Sequence, residues 1–191
     1  CGKPRTSKSL SFEIIYDSMK GERSTNEFCK KYPEILIFSF QGSKTSKSDG
    51  VKKVFDTARK SLSKENKNKN RKNKIISVVY FDEMGLAEES PFNPLKVIHS
   101  ELEYDDNELK VAFVGISNWK LDASKMNRCI FLGIPPLDKR ELITTAKKIS
   151  QDINITIYNK YEDLFINLVK SYVEYKEKIK DFKYSEFHGL R

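Results

Sequence analysis

The chain has 191 residues, a net charge of +8, 38% hydrophobic residues and a mean hydropathy of -0.59. That length fits one domain, or one domain with a small appendage, and the composition describes a polar-surfaced chain whose few apolar strands must supply the core. Neither a signal peptide nor an apolar run of spanning length is present, so no membrane span is expected.

The basicity is local. Lys64, Lys67, Lys69, Arg71, Lys72 and Lys74 stand against Glu65 alone, so most of the excess belongs to one Asn/Lys-rich insert over residues 64–74. A low-complexity run of this kind reads as a solvated loop rather than as the structured patch that nucleic acid requires. Cys1, Cys29 and Cys129 are odd in number, far apart and without metal-ligand spacing, and only His99 and His188 accompany them, which argues against a zinc site and against a disulfide framework. A reducing, cytoplasmic compartment is the expectation.

In chain order, the segment from Gly2 to Ser9 reads GKPRTSKS. Laid on the phosphate-loop pattern G-x-x-x-x-G-K-[ST], it supplies Gly2, Lys8 and Ser9, with Ser7 where the last glycine belongs. That chemistry asks for backbone N–H groups around phosphate, a Lys on the β and γ oxygens and a hydroxyl on Mg²⁺. Taken alone, the stretch is equally a Lys/Ser-rich segment that happens to hold one glycine. Leu10 to Met19 can form a helix with Leu10, Ile14, Ile15 and Met19 as its buried stripe, its N-terminus facing the phosphates. The chain opens directly on this loop, without an initiator Met or a preceding strand, and reads as part of something larger.

Gly21 to Tyr32 is a polar connection. Pro33 to Phe40, PEILIFSF, is a strand. After a Ser/Lys/Gly loop, Asp49 is a candidate N-cap for a helix carrying Val51, Val54, Phe55, Ala58 and Leu62 at helical spacing. The insert then delivers the chain into Ile75 to Leu86, IISVVYFDEMGL. Its apolar run from Val78 to Phe81 has the character of a strand buried on both faces of a parallel sheet. It ends in Asp82 and Glu83, at the strand end where open α/β sheets bind ligands. An acid there holds Mg²⁺ in phosphoryl-transfer sites, and Glu83 could polarise a water; the plain alternative is a solvated strand-to-loop junction.

A loop follows through Pro94, then a helix from about Pro94 to Glu103, on which His99 is a packing or capping residue. Tyr104 to Glu108 is an acidic turn. Val111 to Ser117 is a second buried strand ending at Asn118, which could orient an attacking water or merely satisfy its own turn. Leu121 to Arg128 is a short helix capped by Asp122, and Cys129 to Leu132 a last short strand. Pro135-Pro136 marks a boundary. Beyond it Asp138 caps a helix carrying Leu142, Ile143, Ala146 and Ile149, and Tyr161 to Phe182 forms another with Leu164, Phe165, Leu168, Val169 and Tyr172 on one side.

The order of these features is that of AAA+ ATPases. GKPRTSKSL, FQGSKTSKSDG, VVYFDEMGLAEESPFNPLKVIH, VAFVGISNWKLDASKMNRCIF and FHGLR together resemble the mysterin family, giant AAA+ proteins that carry a RING-type ubiquitin-ligase module. The resemblance covers nearly the whole chain apart from the insert. It implies an α/β fold: a P-loop AAA+ core with a parallel sheet over residues 1–135, its first strand lying before Gly2 and outside this sequence, and a small helical lid over 136–191. It implies ATP and Mg²⁺ as cofactors, neighbouring AAA+ units and ubiquitin-transfer machinery as partners, and no counterpart of the ligase module within this chain.

By the same resemblance Gly2, Lys3, Pro4, Arg5, Thr6, Ser7, Lys8, Ser9 and Leu10 bind nucleotide, with Arg191 as a sensor-2 residue. Ser9 and Asp82 hold the metal, Glu83 activates water, Asn118 is sensor 1, and Arg128 is an arginine finger for a neighbouring unit. The family usually has Gly where this chain has Arg5, and many AAA+ loops have Gly at Ser7; glycine permits positive φ and close approach to phosphate. Three functions therefore stand open: ATP hydrolysis coupled to a ubiquitin ligase, a nucleotide-holding unit in which Arg5 blocks turnover, and a clamp-loader-like or helicase-like nucleic-acid motor.

Overall fold

A computed structural model describes residues 1–4, 6–66, 74–103, 110–127 and 129–179. The chain divides into two units, one comprising Cys1–Lys3 and Ser7–Ile134, the other Pro4–Thr6 and Pro135–Arg191. Arg5, Arg128, Arg191, Phe182, the middle of the insert (67–73) and the expected acidic turn at Tyr104 to Glu108 lie outside the described residues.

The first unit is built on a three-stranded parallel sheet in the order β1 (Glu34–Gln41), β2 (Ile75–Asp82) and β3 (Ala112–Gly115). This is the α/β architecture with a parallel sheet that the sequence predicts. The register pairs Gln41 with Asp82 and Phe81 with Gly115, so all three strands end at one edge. The sheet is continued there by single contacts: Gly2 N donates to Ser117 O at 3.2 Å, and Ile134 N to Cys1 O at 2.7 Å. Cys1 and Gly2 thus run between the end of β3 and Ile134, and the phosphate-loop stretch starts from the edge where β2 and β3 end.

Helix α2 (Ser48–Asn66) covers the sheet because its apolar residues recur every three or four positions. Val51, Phe55 and Ala58 are fully buried, packed with Val79, Phe81, Leu95 and Ile98, and Leu62 is nearly so. Asp49 lies inside the first turn rather than capping it, and Lys64 to Asn66 prolong the helix into what the composition marks as insert. Arg59 of α2 pairs with Glu101 of α4 (Lys96–Leu102), tying the two helices across the core.

Three further sequence expectations are corrected in this unit. In α1 (Lys8–Ser18), Leu10, Ile14 and Ile15 are half or more exposed, and Met19 is partly buried. The sequence carries a second stripe, Phe12, Tyr16 and Met19, and the aromatic one turns inward, with Phe12 stacked on Tyr80 of β2. The stretch after Glu83 is not all loop, since Met84–Glu88 forms α3 with Met84 and Ala87 in the core. No strand forms at Cys129 to Leu132; Ile130 is 93% exposed, and contact with the start of the chain is made by Leu132 O, which accepts from Cys1 N at 2.8 Å, and by one bridge between Gly2 and Ile134. The short helix α5 (Ala123–Met126) is capped as expected, Asp122 accepting from Ser124 N at 3.2 Å.

In the second unit, α6 (Lys139–Lys178) opens on a capping box in which Asp138 and Glu141 each accept the other's backbone N–H at 2.8 Å. Its helical backbone is interrupted at Asn154 and Tyr161, and Asn154 Oδ1 recaps the chain by accepting from Ile157 N at 3.0 Å. Leu142 is buried as expected, but Ile149, Leu164 and Leu168 are exposed, while Phe165, Val169 and Tyr172 are partly buried. Tyr158, buried and stacked on Phe165, donates to Glu162, which pushes its hydroxyl pKa up to about 12.

Phe55 of α2 and Phe81 of β2 are the largest fully buried side chains of the α2–sheet interface. Phe55→Ala should lower the free energy of unfolding by about 3–5 kcal/mol in urea denaturation. A loss under about 1 kcal/mol would show that α2 does not anchor the sheet.

Candidate functional site

Asp82 and Glu83 sit at the carboxyl edge because β2 ends there and the chain turns sharply. Glu83 has left-handed backbone, φ 53°, and hands the chain into α3. The turn is fastened on both sides. Gly42 N donates to Asp82 O at 2.8 Å, Met84 N to Ile116 O at 2.8 Å, and Glu83 N to Asp82 Oδ1 at 2.9 Å. A Cβ at Gly42 would lie 2.3 Å from Glu83 O, so no larger residue fits against this turn as it stands. At Gly115 of β3 a Cβ would meet Met84 Sδ at 2.0 Å, the end of a flexible side chain rather than backbone.

The phosphate-loop residues come to the same edge. Ser9, in the first turn of α1, donates from Oγ to Asp82 Oδ2 at 3.4 Å, joining residues 73 apart in sequence. Lys8 Nζ donates to Gly2 O at 2.8 Å and Lys3 O at 2.7 Å. Partial burial lowers the Lys8 pKa, while the charges of Glu83 and then Asp82 pull it back up. Asn118 Nδ2 donates to Glu83 Oε2 at 3.0 Å, so the amide at the end of β3 reaches the second acid. Gly2, Lys3, Lys8, Ser9, Asp82, Glu83 and Asn118 are thereby gathered.

Ser7 is the N-cap of α1 in a left-handed conformation, φ 54°, and its side chain makes no capping hydrogen bond. The sequence expects glycine at that position, and the backbone has the geometry that favours glycine, at a cost of about 1–2 kcal/mol for an L residue. Helix N-terminal N–H groups without a side-chain cap are donors for an anion. Leu10 is exposed on α1. Pro4 and Thr6 group with the second unit, and Arg5, Arg128 and Arg191 lie outside the described residues.

Two residues missed by sequence reasoning belong here. The Tyr80 hydroxyl has its pKa raised, first by burial; hydrogen bonding from Ser9 lowers it, and the charge and hydrogen bond of Asp82 raise it again. Strand periodicity could have found it, since Tyr80 and Asp82 are two apart and share a face. Gly42 is the other, signalled only by its place one residue beyond a strand.

A hydroxyl and a carboxylate are hard oxygen donors suited to Mg²⁺, which is typically held by one or two carboxylates with waters and substrate phosphates supplying the rest. Among the described residues no group of three His, Cys, Asp or Glu could hold a metal unaided, and that chemistry needs none.

Comparison with known proteins gives the family. The model of the RNF213 AAA domain matches residues 1–141. The chain is 36% identical over 197 residues to the E3 ubiquitin-protein ligase RNF213 of Homo sapiens, 36% over 203 to rnf213-beta of Danio rerio, and 36% over 196 to RNF213 of Mus musculus. Each match covers 100% of this chain and 4% of the relative. On the family model and these relatives, the chain belongs to the RNF213, or mysterin, AAA-domain family.

Proposed function

We propose that this chain binds and hydrolyses Mg–ATP as one AAA+ unit of an RNF213-like ubiquitin ligase, working in the cytoplasm beside neighbouring AAA+ units. The observation that carries the reading is the meeting of Ser9 with Asp82, a hydroxyl on the phosphate loop and a carboxylate at the end of β2, with Glu83 next in the chain. Its relatives carry the name E3 ubiquitin-protein ligase; coupling of ATP turnover to ubiquitin-transfer machinery elsewhere in such a protein belongs to the same proposal.

The residues divide the work as follows. Backbone N–H groups at the start of α1 bind the phosphates. Lys8 leaves the carbonyls of Gly2 and Lys3 for the β and γ oxygens, exchanging neutral acceptors for charged ones that form stronger hydrogen bonds. Ser9 and Asp82 would hold Mg²⁺, which neutralises charge developing on the phosphates. Glu83 accepts the proton of the attacking water, and Asn118 holds the Glu83 carboxylate in place. Arg128 would act on a neighbouring unit's nucleotide and Arg191 on this unit's own.

A second reading, a nucleotide-holding unit without turnover, is favoured by the same Asn118–Glu83 bond, which occupies one oxygen of the carboxylate that must reach water. The two separate in the full-length protein. Lys8→Ala should abolish ATP photolabelling of the loop, and Glu83→Gln should keep the labelling while turnover at this unit falls about 10²–10⁴-fold. Labelling of the unmutated loop with no turnover attributable to Glu83 would leave the holder. No labelling at all would end both.

Gly42 gives a sharper test. Gly42→Ala pushes a methyl into Glu83 O, and a displacement near 1 Å at a reacting group costs about 10²-fold in rate. The expected result is that loss in kcat with ATP affinity unchanged. An equal loss of affinity would mean that the edge had collapsed rather than that Glu83 had moved.

A further inference from the structure

Asn118 lies past the end of β3, outside any helix or strand, so something must hold its amide against Glu83. An asparagine side chain has two rotatable bonds, and one hydrogen bond at a part-exposed edge contributes too little to fix them. The backbone on either side of Asn118 is held instead. The buried Ser117 hydroxyl accepts from Trp119 N at 3.3 Å and donates to Trp119 O at 2.6 Å, closing a tight turn with Asn118 at its centre. Before Asn118, Ile116 O accepts from Met84 N at 2.8 Å and Ser117 O from Gly2 N at 3.2 Å. After it, the holding contact is an indole. A Cβ built on Gly85 of α3 would lie 2.6 Å from Trp119 Cε2, 2.7 Å from Cζ2 and 2.9 Å from Ser117 Oγ. The indole therefore rests on the bare backbone of α3.

Gly85 is helical, and its backbone is not in the left-handed region. Nothing in its own conformation calls for glycine, which weakens a helix relative to alanine. The indole and Ser117 Oγ are what exclude a side chain there. Trp119 itself is 38% exposed and stands outside the buried core, so filling the interior does not account for it. Its seat lies two residues beyond Glu83, on the same turn of chain. Residues 83–85 and 116–119 are thus joined side by side, by Met84 N on Ile116 O, by Asn118 Nδ2 on Glu83 Oε2 and by Trp119 on Gly85.

We propose that Trp119, seated on Gly85 and clasped by Ser117, is a positioning residue that holds Asn118 where its amide reaches Glu83. This rests on the nucleotide-site reading above. Its effect passes through Asn118 to the residue that activates water, so it bears on turnover. ATP binding belongs to Lys8 and the start of α1, and does not depend on it.

The test uses the full-length protein. It reads ATP photolabelling of residues 2–9, the turnover that Glu83→Gln removes and, without nucleotide, hydrogen exchange across residues 116–119. Trp119→Leu should lower that turnover about 10–10²-fold with labelling unchanged, the loss expected when a reacting group is displaced by a fraction of an ångström to 1 Å. Made on top of Asn118→Ala, it should have no further effect on turnover, since residues that act through one another are not additive. Gly85→Ala keeps the indole, lifts it from its seat and favours the helix. It should lower turnover in the same direction and speed exchange across 116–119. Unchanged turnover in either variant, or unchanged exchange in Gly85→Ala, would overturn the proposal and leave the nucleotide site standing. So would a full further loss on Asn118→Ala or a parallel loss of labelling, each of which marks a general role in the fold. An unmutated protein without labelling, or with no turnover removed by Glu83→Gln, would overturn the site reading, and the proposal with it.

Discussion

The left-handed turn at Glu83 is the constraint on which the site depends. Strand β2 is enclosed between β1 and β3, so its last residues cannot shift sideways, and the chain can leave the sheet only by turning at once. Glu83 takes that turn at φ 53°, a conformation that costs an L residue about 1–2 kcal/mol. The cost is offset because the local backbone groups find partners. Gly42 N takes Asp82 O, Ile116 O takes Met84 N, and Glu83 O accepts from Leu86 N and Ala87 N. Buried backbone groups left unpaired would cost more than the strain. The neighbour against its backbone must also be small, which Gly42 is. As a result Asp82 and Glu83 point from a fixed edge rather than from a mobile loop.

Much of this was legible in the sequence because it is local. The run from Val78 to Phe81 followed by two acids identifies β2 and the place where it ends, and the spacing of Val51, Phe55, Ala58 and Leu62 identifies the buried face of α2. Asp122 and Asp138 announce their helices as caps. What was not legible depends on which of two acceptable surfaces finds a partner. Helix α1 carries an aliphatic and an aromatic stripe, each at helical spacing, and only the position of Tyr80 on β2 decides that Phe12 turns inward. Cys129 to Leu132 has the composition of a strand, but strand formation needs a neighbour along its length, and only its last residue is met, by Cys1 at Leu132 O beside the bridge at Ile134. Site residues followed the same rule: pattern named Ser9, Asp82, Glu83 and Asn118, while Tyr80 and Gly42 are defined by what crosses from another element.

The charges at the edge balance in a way that suits an anionic ligand. Lys8 is partly buried, which disfavours its ammonium, and is held charged by the two acids nearby. Its donors rest on backbone carbonyls, which are neutral and can be given up. The acids are engaged by Ser9, Asn118 and the backbone of Glu83. The edge therefore presents neutral partners, the carbonyls on Lys8 and the amide on Glu83, that a charged ligand can replace.

The position of the basic insert bears on the choice among nucleotide chemistries. Its described ends are Asn66, where α2 stops, and Lys74, immediately before β2. It therefore feeds the amino end of β2, whereas Asp82 ends the same strand. At about 3.3 Å per residue, the strand places more than 20 Å between its two ends. That is beyond the screening length of about 8 Å at physiological salt, so charge at one end has little purchase on a phosphate at the other. The charge of Lys74, at the amino end of the strand, thus does not bear on the proposed nucleotide at Lys8 and Ser9. A nucleic-acid motor would need its own basic surface, argued from residues other than those that give the chain its net charge.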